Sequence, residues 1–466
     1  MVKVKSPLEA YQFLPQTNCG DCGFNTCMAF AAQLIERTKD IEDCPYMKEP
    51  KYKEKLEKLK DYLAPLVSLV RVGVGDNQVL IGGEEVLYRH ELTYYNKTAI
   101  AIEVTDEMKE DEIIKRSKFA QDFTKEYIGM ILKLEMVAIR SVSKDAEKFK
   151  KAVKTVADNV KIPLILCSFD PKILEAGLEV VKDRRPLIYA ATRENWEEVG
   201  KLALKYNVPL AVFAPNDLEL MRSITRALLA MGIEEIVLDP GTYPQGEGIS
   251  TTVNNLVMLR RAAIEEGQKD LGFPLMTVPA VAWLTEGDDI TKANLEAIVS
   301  NICLVNFSDL MILHCIEPWM IIPLITLREN LYTDPRRPVS VEPGLKEIGS
   351  PTDMSPVMFT TNFALTYYTV ASDIESGNID CWLLVVDTEG IGVESAVAGG
   401  QLNASRVKET MDETKIEEKV KHRTIVIPGM AARITGELED ISGWKVVVGP
   451  RDSSGIPKLV STLELK

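Results

Sequence analysis

The sequence predicts an α/β protein with three parts: a small cysteine-rich N-terminal domain, a central (β/α)8 barrel of the TIM type, and a C-terminal Rossmann-like domain. Three observations predict this. Four cysteines cluster near the start, eight short apolar runs alternate with amphipathic helices, and the final strands each end in a small-residue loop. With 466 residues, 46% of them hydrophobic, the chain is long enough for two or three cores. We place the domains at residues 1–58, 59–330 and 331–466.

The N-terminal domain is organised around four cysteines, Cys19, Cys22, Cys27 and Cys44, which we take as candidate metal ligands. Glycines next to the first two allow the backbone to bend tightly. Clustered thiolates need a shared electrophile, and the candidates are an iron–sulfur cluster or zinc. A structural zinc site usually presents two paired knuckles, whereas this motif ends in a lone Cys-Pro. The spacing therefore favours a four-iron cluster, with zinc and unligated thiols as open alternatives.

Residues 46–64 follow the cysteine motif and are dominated by charge. Leu56, Leu59 and Leu63 supply one thin apolar face, and Pro65 ends the pattern. This composition predicts a solvated helical tether. It is either an ordinary surface helix or a mobile arm that carries the cysteine domain.

In the middle of the chain, strand-like and helical stretches alternate regularly. A hairpin is predicted around Gly82-Gly83, because strand-like runs flank this pair. Beyond it, eight β-rich runs alternate with helical stretches, which favours a closed barrel over an open sheet. The runs are 99–104, 135–139, 163–167, 187–190, 210–213, 235–238, 275–278 and 310–315.

Barrel active sites lie at the carboxyl ends of the strands. The polar residues predicted there are Asp170, Thr192, Asn216, Asp239 and His314. They form no metal-ligand or nucleophile spacing, and helix caps or turns explain Thr192, Asn216 and Asp239. His314 has apolar neighbours and is interpreted as a hydrogen-bonded core histidine. The barrel alone predicts no function.

After Asn330 the composition shifts to proline and turn residues, which predicts a linker or domain seam. Four strands, expected to be parallel, then deliver loops to one edge of a sheet, where open α/β sheets bind ligands. Thr360-Thr361-Asn362 offers hydroxyls and helix N-terminal amides to a ligand. The glycines after the strands would let a large flat ligand approach the backbone closely. Ordinary tight turns explain these glycines equally well. No glycine-rich dinucleotide or triphosphate motif is present, which disfavours those ligands. The predicted strands are 356–360, 382–387, 424–427 and 444–448.

Composition excludes several classes of partner. The net charge is −15 without a dense Lys/Arg stripe, which argues against nucleic acid. The most apolar window, 310–327, contains His314, Glu317 and two prolines, so we predict no membrane span, and the start of the chain lacks a signal peptide. The isolated cysteines are interpreted as small buried hydrophobes, and a cysteine cluster without a disulfide framework argues for a reducing cytoplasm. These isolated residues are Cys167, Cys303, Cys315 and Cys381.

Along its whole length the chain resembles one known family. This is the large (gamma) subunit of the corrinoid iron–sulfur protein, a part of the acetyl-CoA decarbonylase/synthase complex of methanogenic archaea and of its acetogen counterparts. Motifs near both ends carry the resemblance, in the same order. They are Cys19-x2-Cys22-x4-Cys27-x16-Cys44-Pro45, Ser355-Pro356-Val357 with 360–367, 382–390, and Ile427-Pro428-Gly429 with Gly436-Glu437-Leu438.

The resemblance implies two cofactors. One is a [4Fe-4S] cluster on the four cysteines, and the other is a corrinoid, a cobalt-containing cobamide, in the C-terminal domain. It is expected to be base-off without a histidine ligand, because His90, His314 and His422 all lie outside the Asp-x-His-x-x-Gly pattern of many corrinoid proteins. Carried over by position, the corrinoid contacts are Thr360, Thr366, Gly390, Ile391, Gly392, Val393, Gly429, Gly455 and Ile456.

The resemblance also implies partners and an activity. The partners are a smaller delta subunit with a homologous barrel, forming a heterodimer and holding the methyl-pterin, and the nickel-containing acetyl-CoA synthase (beta) subunit of the wider complex. The activity is a methyl relay. Reduced cobalt accepts the methyl group of a methyl-tetrahydropterin of the tetrahydromethanopterin or tetrahydrosarcinapterin type and passes it to the nickel site. When the cobalt is accidentally oxidised, the cluster returns an electron and restores its reduced state. No protein side chain is then catalytic in this methyltransferase component.

Two other functions fit the same sequence. One is a stand-alone pterin-dependent barrel methyltransferase in which the cluster is only structural. The other is a ferredoxin-like electron carrier fused to a barrel. Cobalt and iron contents separate these possibilities.

Overall fold

The computed structural model describes residues 5–336 and 338–465. It divides into two compact units. The first contains the chain up to Lys125 together with Leu132–Tyr332, and the second contains Glu126–Ile131 together with the chain from Thr333 onward. The cysteine region and the barrel therefore share one unit, and the three-domain division at 58/59 and 330/331 stays a prediction.

Three helices surround the cysteine region: α1 (Pro7–Phe13), α2 (Cys27–Ile35) and α3 (Lys53–Leu63). Ser6 caps α1 and Thr26 caps α2, and each side chain accepts a hydrogen bond from a backbone N–H of the first turn. The caps fix the start of both helices, and thus place Cys27 at the first position of α2.

The charged segment 46–64 is packed rather than exposed on all sides. Leu59 of α3 is fully buried in the same core as Phe30 of α2. The Tyr62 hydroxyl accepts a hydrogen bond from the backbone N–H of Ser6 (2.7 Å) and donates one to the Glu9 carboxylate (2.9 Å). The predicted helix is present, and its apolar face closes the N-terminal core.

Strands β1 (Leu69–Val74) and β2 (Asn77–Gly82) form an antiparallel hairpin that turns at residues 75–76. The predicted turn at Gly82-Gly83 is wrong. A side chain at Gly82 would come within 2.5 Å of the Ser68 carbonyl and the Pro274 ring, and φ there is +81°. Glycine serves close packing against the barrel at this position, not a turn.

Eight parallel strands form the barrel, in the spatial order β10-β9-β8-β7-β6-β3-β12-β11. A parallel bridge between Leu238 and Leu275 joins the two ends and closes the sheet. All eight predicted runs are strands, so the predicted barrel is confirmed. A separate two-stranded sheet, β4 with β5, was not predicted. The bounds are β3 (Ala99–Thr105), β4 (Thr124–Tyr127), β5 (Met130–Lys133), β6 (Met136–Arg140), β7 (Leu164–Cys167), β8 (Leu187–Ala191), β9 (Leu210–Phe213), β10 (Ile236–Asp239), β11 (Met276–Thr277) and β12 (Leu310–Leu313).

Helices surround the barrel, and each begins close to the end of a strand, which is the pattern of successive β/α units. Short polar side chains cap several of them; Asp145, Asp170 and Asp217 each accept a hydrogen bond from the first turn of the following helix. The bounds are α4 (Glu110–Asp122), α5 (Ala146–Asn159), α6 (Pro171–Val181), α7 (Trp196–Tyr206), α8 (Leu218–Ala230), α9 (Glu247–Ile264), α10 (Asp289–Val305) and α11 (Pro318–Tyr332).

The second unit is built on a five-stranded sheet in the order β13-β15-β14-β16-β17, flanked by helices. The strands are β13 (Gly344–Ile348), β14 (Val357–Thr361), β15 (Cys381–Val386), β16 (Thr424–Ile427) and β17 (Lys445–Val448). The helices are α12 (Ala364–Ser376), α13 (Val393–Gly399), α14 (Ala404–Glu413), α15 (Ile416–Lys419), α16 (Thr435–Ser442) and α17 (Ile456–Val460).

The predicted all-parallel, Rossmann-like sheet needs a correction, because the sheet is mixed. The four predicted strands are present and parallel, but β13 pairs with β15 in the antiparallel direction. It lies in the stretch predicted as a linker. Most of its residues are half-exposed, as expected for an edge strand that covers only one side of its neighbour.

No helix in the described part of the chain is long and apolar enough to cross a membrane.

Candidate functional site

A cavity opens in the second unit where strands β14 and β16 separate. The chain leaves β14, returns beside it as β15, and then crosses to the other side of β14 to form β16. Such a change of direction leaves a crevice at the carboxyl ends of the strands. The two strands pair only at Val357↔Ile425 and Met358↔Val426, so their last residues are not joined by the ladder.

This crevice is a cavity of about 290 Å3. Its walls combine strand ends with the first turns of two helices and the loop that follows β17. Apolar side chains predominate, and a few hydroxyl and charged groups interrupt them. The lining residues are Met358, Phe359, Thr360, Leu365, Thr366, Thr369, Val370, Val393, Val426, Ile427, Pro428, Met430, Gly449, Pro450, Arg451, Asp452, Ser453 and Ile456.

Two buried hydroxyl groups in the described part of the second unit have no hydrogen-bond partner. They belong to Thr360, which is 1% exposed and lines the cavity, and to its neighbour Thr361, which is fully buried. A buried hydroxyl without a partner costs about 1–3 kcal/mol, so such groups call for an explanation. A polar ligand in the cavity would give the Thr360 hydroxyl the partner it lacks.

The side chain of Asn362 holds the loop after β15 in place. Its Oδ1 accepts hydrogen bonds from the Thr388 N–H (3.0 Å), the Thr388 hydroxyl (3.0 Å) and the Gly390 N–H (2.9 Å). Its Nδ2 donates to Asp387 (3.0 Å). Sequence reasoning offered Asn362 to a ligand, but its amide is used inside the protein to shape the loop that carries Gly390–Val393.

The predicted corrinoid contacts fall into two groups. Those that line the cavity are Thr360, Thr366, Val393 and Ile456. Those outside its lining are Gly390, Ile391, Gly392, Gly429 and Gly455. The second group supports the walls: a Cβ at Gly392 would lie 3.7 Å from the Thr366 hydroxyl, and the Gly429 N–H donates to the Pro450 carbonyl (3.0 Å). Their contact with a ligand stays a prediction.

Sequence reasoning missed the loop 449–453, which forms one side of the cavity. The Ser453 hydroxyl donates to Asp373 of α12, which ties this loop to the opposite wall. A signal was available, because Gly449-Pro450 directly follows the strand predicted at 444–448 and must therefore reach the same edge of the sheet.

The four N-terminal cysteines lie in one small module. Cys27 and Cys44 are buried, Cys22 is half-buried and Cys19 is exposed. Burial raises the pKa of the Cys44 thiol, backbone N–H groups at Met47 and Tyr46 lower it, and the neighbouring thiols of Cys22 and Cys19 raise it further. The thiols are thus close enough to influence one another's charge.

The backbone of this module suits thiolate ligands. Cys27 stands at the amino end of α2, where the helix dipole favours a negative charge. Among the described residues, no three His, Cys, Asp or Glu side chains lie close enough to share one metal ion. In a four-iron cluster each thiolate binds a different iron, so the sulfur atoms need not converge on one point.

Family comparisons match both parts of the chain. Residues 69–460 match a family model described as the CO dehydrogenase/acetyl-CoA synthase delta subunit, and residues 14–46 match one described as a putative Fe-S cluster. Fold and site thus define a barrel protein of the CO dehydrogenase/acetyl-CoA synthase class with an iron–sulfur segment at its start.

Full-length relatives identify the subunit. The chain is 51% identical to acetyl-CoA decarbonylase/synthase complex subunit gamma 2 of Methanosarcina thermophila, over 98% of both chains. It is also 51% identical to subunit gamma of that complex from Archaeoglobus fulgidus, over 98% of this chain and 97% of the relative. The chain belongs to this family of gamma subunits, as its motifs predicted. Among solved structures it is similar to dihydropteroate synthase from Thermus thermophilus, with a TM-score of 0.38 and 14% identity over 56% of this chain and all of that one.

Proposed function

We propose that the protein is a corrinoid and iron–sulfur methyl carrier that works as a subunit of an acetyl-CoA decarbonylase/synthase complex. The corrinoid is held by the second unit and a [4Fe-4S] cluster by Cys19, Cys22, Cys27 and Cys44. The observation that carries the proposal is the cavity between β14 and β16, which is bordered by the unpartnered Thr360 hydroxyl.

The cavity fits part of a corrinoid. A corrin ring is too large for about 290 Å3, so the cavity would take one of its appendages. Apolar walls such as Met358 and Val426 suit a flat base, and Thr360 offers a hydroxyl to an amide or a ribose. Thr366 and Val393, at the first turns of α12 and α13, would stand beside the bound group.

The second unit has no histidine that is free to bind the cobalt of a corrinoid. Its one histidine is His422, which is 2% exposed. The His422 Nε2 bonds to the Ser355 carbonyl (2.9 Å), and its Nδ1 accepts a hydrogen bond from the Thr424 N–H (3.2 Å). Both ring nitrogens are engaged, which supports a base-off corrinoid without a histidine ligand. When bound, the corrinoid would supply a cobalt centre that can take up and release methyl groups.

In this proposal the cysteine module keeps the methyl carrier in its reduced state and does not itself carry the methyl group. Its residues hold the cluster and shield it, since Cys27 and Cys44 are buried among the side chains of the N-terminal core. Iron–sulfur potentials extend to about −700 mV, low enough to return an oxidised carrier to its reduced form.

The remaining parts of the proposal concern partners. The delta subunit is the heterodimer partner and holds the methyl-tetrahydropterin, and the nickel-containing beta subunit receives the methyl group. The chain then acts as a component of a methyltransferase in the cytoplasm. These assignments rest on membership of the gamma family.

Metal and corrinoid analysis after anaerobic purification tests the proposal. We expect cobalt together with about four irons per chain. Thr360→Val should weaken corrinoid binding about tenfold, the value of one hydrogen bond, while leaving the ligand-free protein as stable or more stable. Thr369→Val is the matched control, because Thr369 lines the same cavity but its hydroxyl already bonds to the Leu365 carbonyl (2.7 Å).

Two results would contradict the proposal. A reconstituted protein with iron but no corrinoid affinity would favour the ferredoxin-like carrier. Equal corrinoid affinity in the Thr360 and Thr369 variants would show that the cavity is not the corrinoid site.

A further inference from the structure

The protein does not hold the four cysteines of the N-terminal module equally. Cys27 is 7% exposed and is the first residue of α2. Its backbone N–H donates a hydrogen bond to Oδ1 of Asn18 (2.9 Å), and the side chain of Thr26 caps the helix. The helix and its cap therefore fix the backbone that carries this thiol.

Cys44 is held in a similar way. It is 5% exposed and joins two short 3-10 helices, Ile41–Asp43 and Pro45–Lys48. Its N–H donates to the Ile41 carbonyl (3.1 Å), and its own carbonyl accepts from the Met47 N–H (3.2 Å). Because the residue belongs to the N-terminal core, a change of its position would disturb that core.

Cys19 stands in a different setting. It is exposed, and it lies within residues 15–20, which form no helix or strand. On either side, Asn18 (φ +49°) and Gly20 (φ +85°) have left-handed backbone conformations. A Cβ added at Gly20 would have no atom within 4 Å, and the same holds at Gly23. The backbone around Cys19 thus faces open space and not a packed core.

Cys22 is intermediate between these settings. It is half-buried and packs against the N-terminal core. Exposure therefore falls from Cys19 through Cys22 to the two buried cysteines. Thiolate reactivity and oxidation follow exposure, because the reagent must reach the sulfur. A cluster on these residues would have one corner open to solvent, at Cys19.

We propose that oxidation of the cluster releases the iron bound to Cys19, while the other three cysteines keep the rest of it. This inference rests on the proposed [4Fe-4S] cluster. The cluster in its 2+ state gives one electron to an oxidant such as ferricyanide and separates into [3Fe-4S]+ and Fe2+. The bonds that break join the departing iron to the Cys19 sulfur and to the sulfides of the cluster. The freed thiolate takes up a proton from water, and Fe2+ with one electron reverses the step.

Thiol alkylation of the iron-loaded, full-length protein tests the proposal. The anaerobic protein is treated with an equimolar amount of ferricyanide and then with iodoacetamide, and mass spectrometry of its peptides identifies the labelled residues. We expect Cys19 alone to be labelled and about one of about four irons to be released. Electron paramagnetic resonance should show the three-iron cluster. Protein without ferricyanide is the control, and the cysteines outside the module should stay unlabelled because all are buried. They are Cys167, Cys303, Cys315 and Cys381.

Two variants give a matched comparison, since each removes one sulfur. Cys19→Ala should purify with about three irons per chain, because the three better-held cysteines remain. Cys44→Ala should lose most of its iron. Far-UV circular dichroism of Cys19→Ala should match the wild type, because the substituted side chain is exposed.

Several results would overturn the inference. Labelling of another cluster cysteine before Cys19 is one, and an unchanged iron content after oxidation or release of all iron in a single step are others. Equal iron contents in Cys19→Ala and Cys44→Ala would contradict it as well. A protein that binds no iron at all would contradict the proposed cluster itself and this inference with it, whereas the other results leave the proposed cluster standing.

Discussion

A buried ion pair at the amino-terminal end of the barrel gives the sharpest stability prediction. Arg260 of α9 and Asp309, just before β12, pair with side chains that are only 2% and 3% exposed. Asp309 also accepts a hydrogen bond from the Leu275 N–H (2.7 Å). Arg260→Met would leave a buried carboxylate with only this N–H as partner. Removing one member of such a pair costs about 3–5 kcal/mol, a large share of the roughly 5–15 kcal/mol that stabilises a domain.

Two further variants make this prediction specific. Arg406→Met breaks an exposed pair with Glu409 (3.0 Å; 43% and 53% exposed) and should cost under about 1 kcal/mol. Adding Asp309→Asn to Arg260→Met should recover part of the loss, because Asn removes the unpaired charge yet still accepts from Leu275.

Urea unfolding, followed by tryptophan fluorescence and far-UV circular dichroism, measures all three variants. An Arg260→Met cost below about 1 kcal/mol would refute the reasoning, since it would mean that the carboxylate is solvated after all. A double variant no more stable than Arg260→Met would refute it too.

Two more predictions concern Glu84 and Cys44. Burial raises the pKa of Glu84 to about 8, and the Asp309 charge adds to the rise. Because the unfolded state loses this proton near pH 4.3, the contribution of Glu84 to stability is fully present below that pH and is lost as pH rises to about 8. Glu84→Gln should therefore gain stability over wild type along a urea series from pH 4.5 to 8, and a constant difference would contradict this. Cys44→Ala should lose iron and reductive reactivation but keep methyl transfer from chemically reduced protein, whereas the buried Cys381→Ala should keep its iron; loss of methyl transfer as well would give the cluster another role.

Local pattern was enough to predict the barrel. Its eight strands are short, continuous apolar runs, because strands buried on both faces need no alternation. Strands at exposed edges gave no such signal: β13 and the β4–β5 pair are mostly exposed or half-exposed. In 46–64 the sequence showed Leu59 on a thin apolar face but not what covers it, because its burial depends on side chains far away in the sequence.

Site residues were predictable where their role depends on position along a strand. Thr360 ends a predicted strand and does line the cavity. The pairing of His314 with Glu103 joins residues 211 positions apart, and no local pattern reports it. The structural role of Asn362 was missed for a related reason, because its hydrogen-bond partners come from another strand's loop.

The hydrogen bonds between Asn362 and the loop after β15 affect which substitutions near the cavity the protein can accept. Gly390 and its neighbours take their shape from an amide that stands outside their own segment. Side chains along 391–393 can therefore vary and alter what the cavity accepts, while the backbone path stays the same. Substituting Asn362 would have the opposite effect: the loop would keep all of its side chains but lose the hydrogen bonds that fix its backbone.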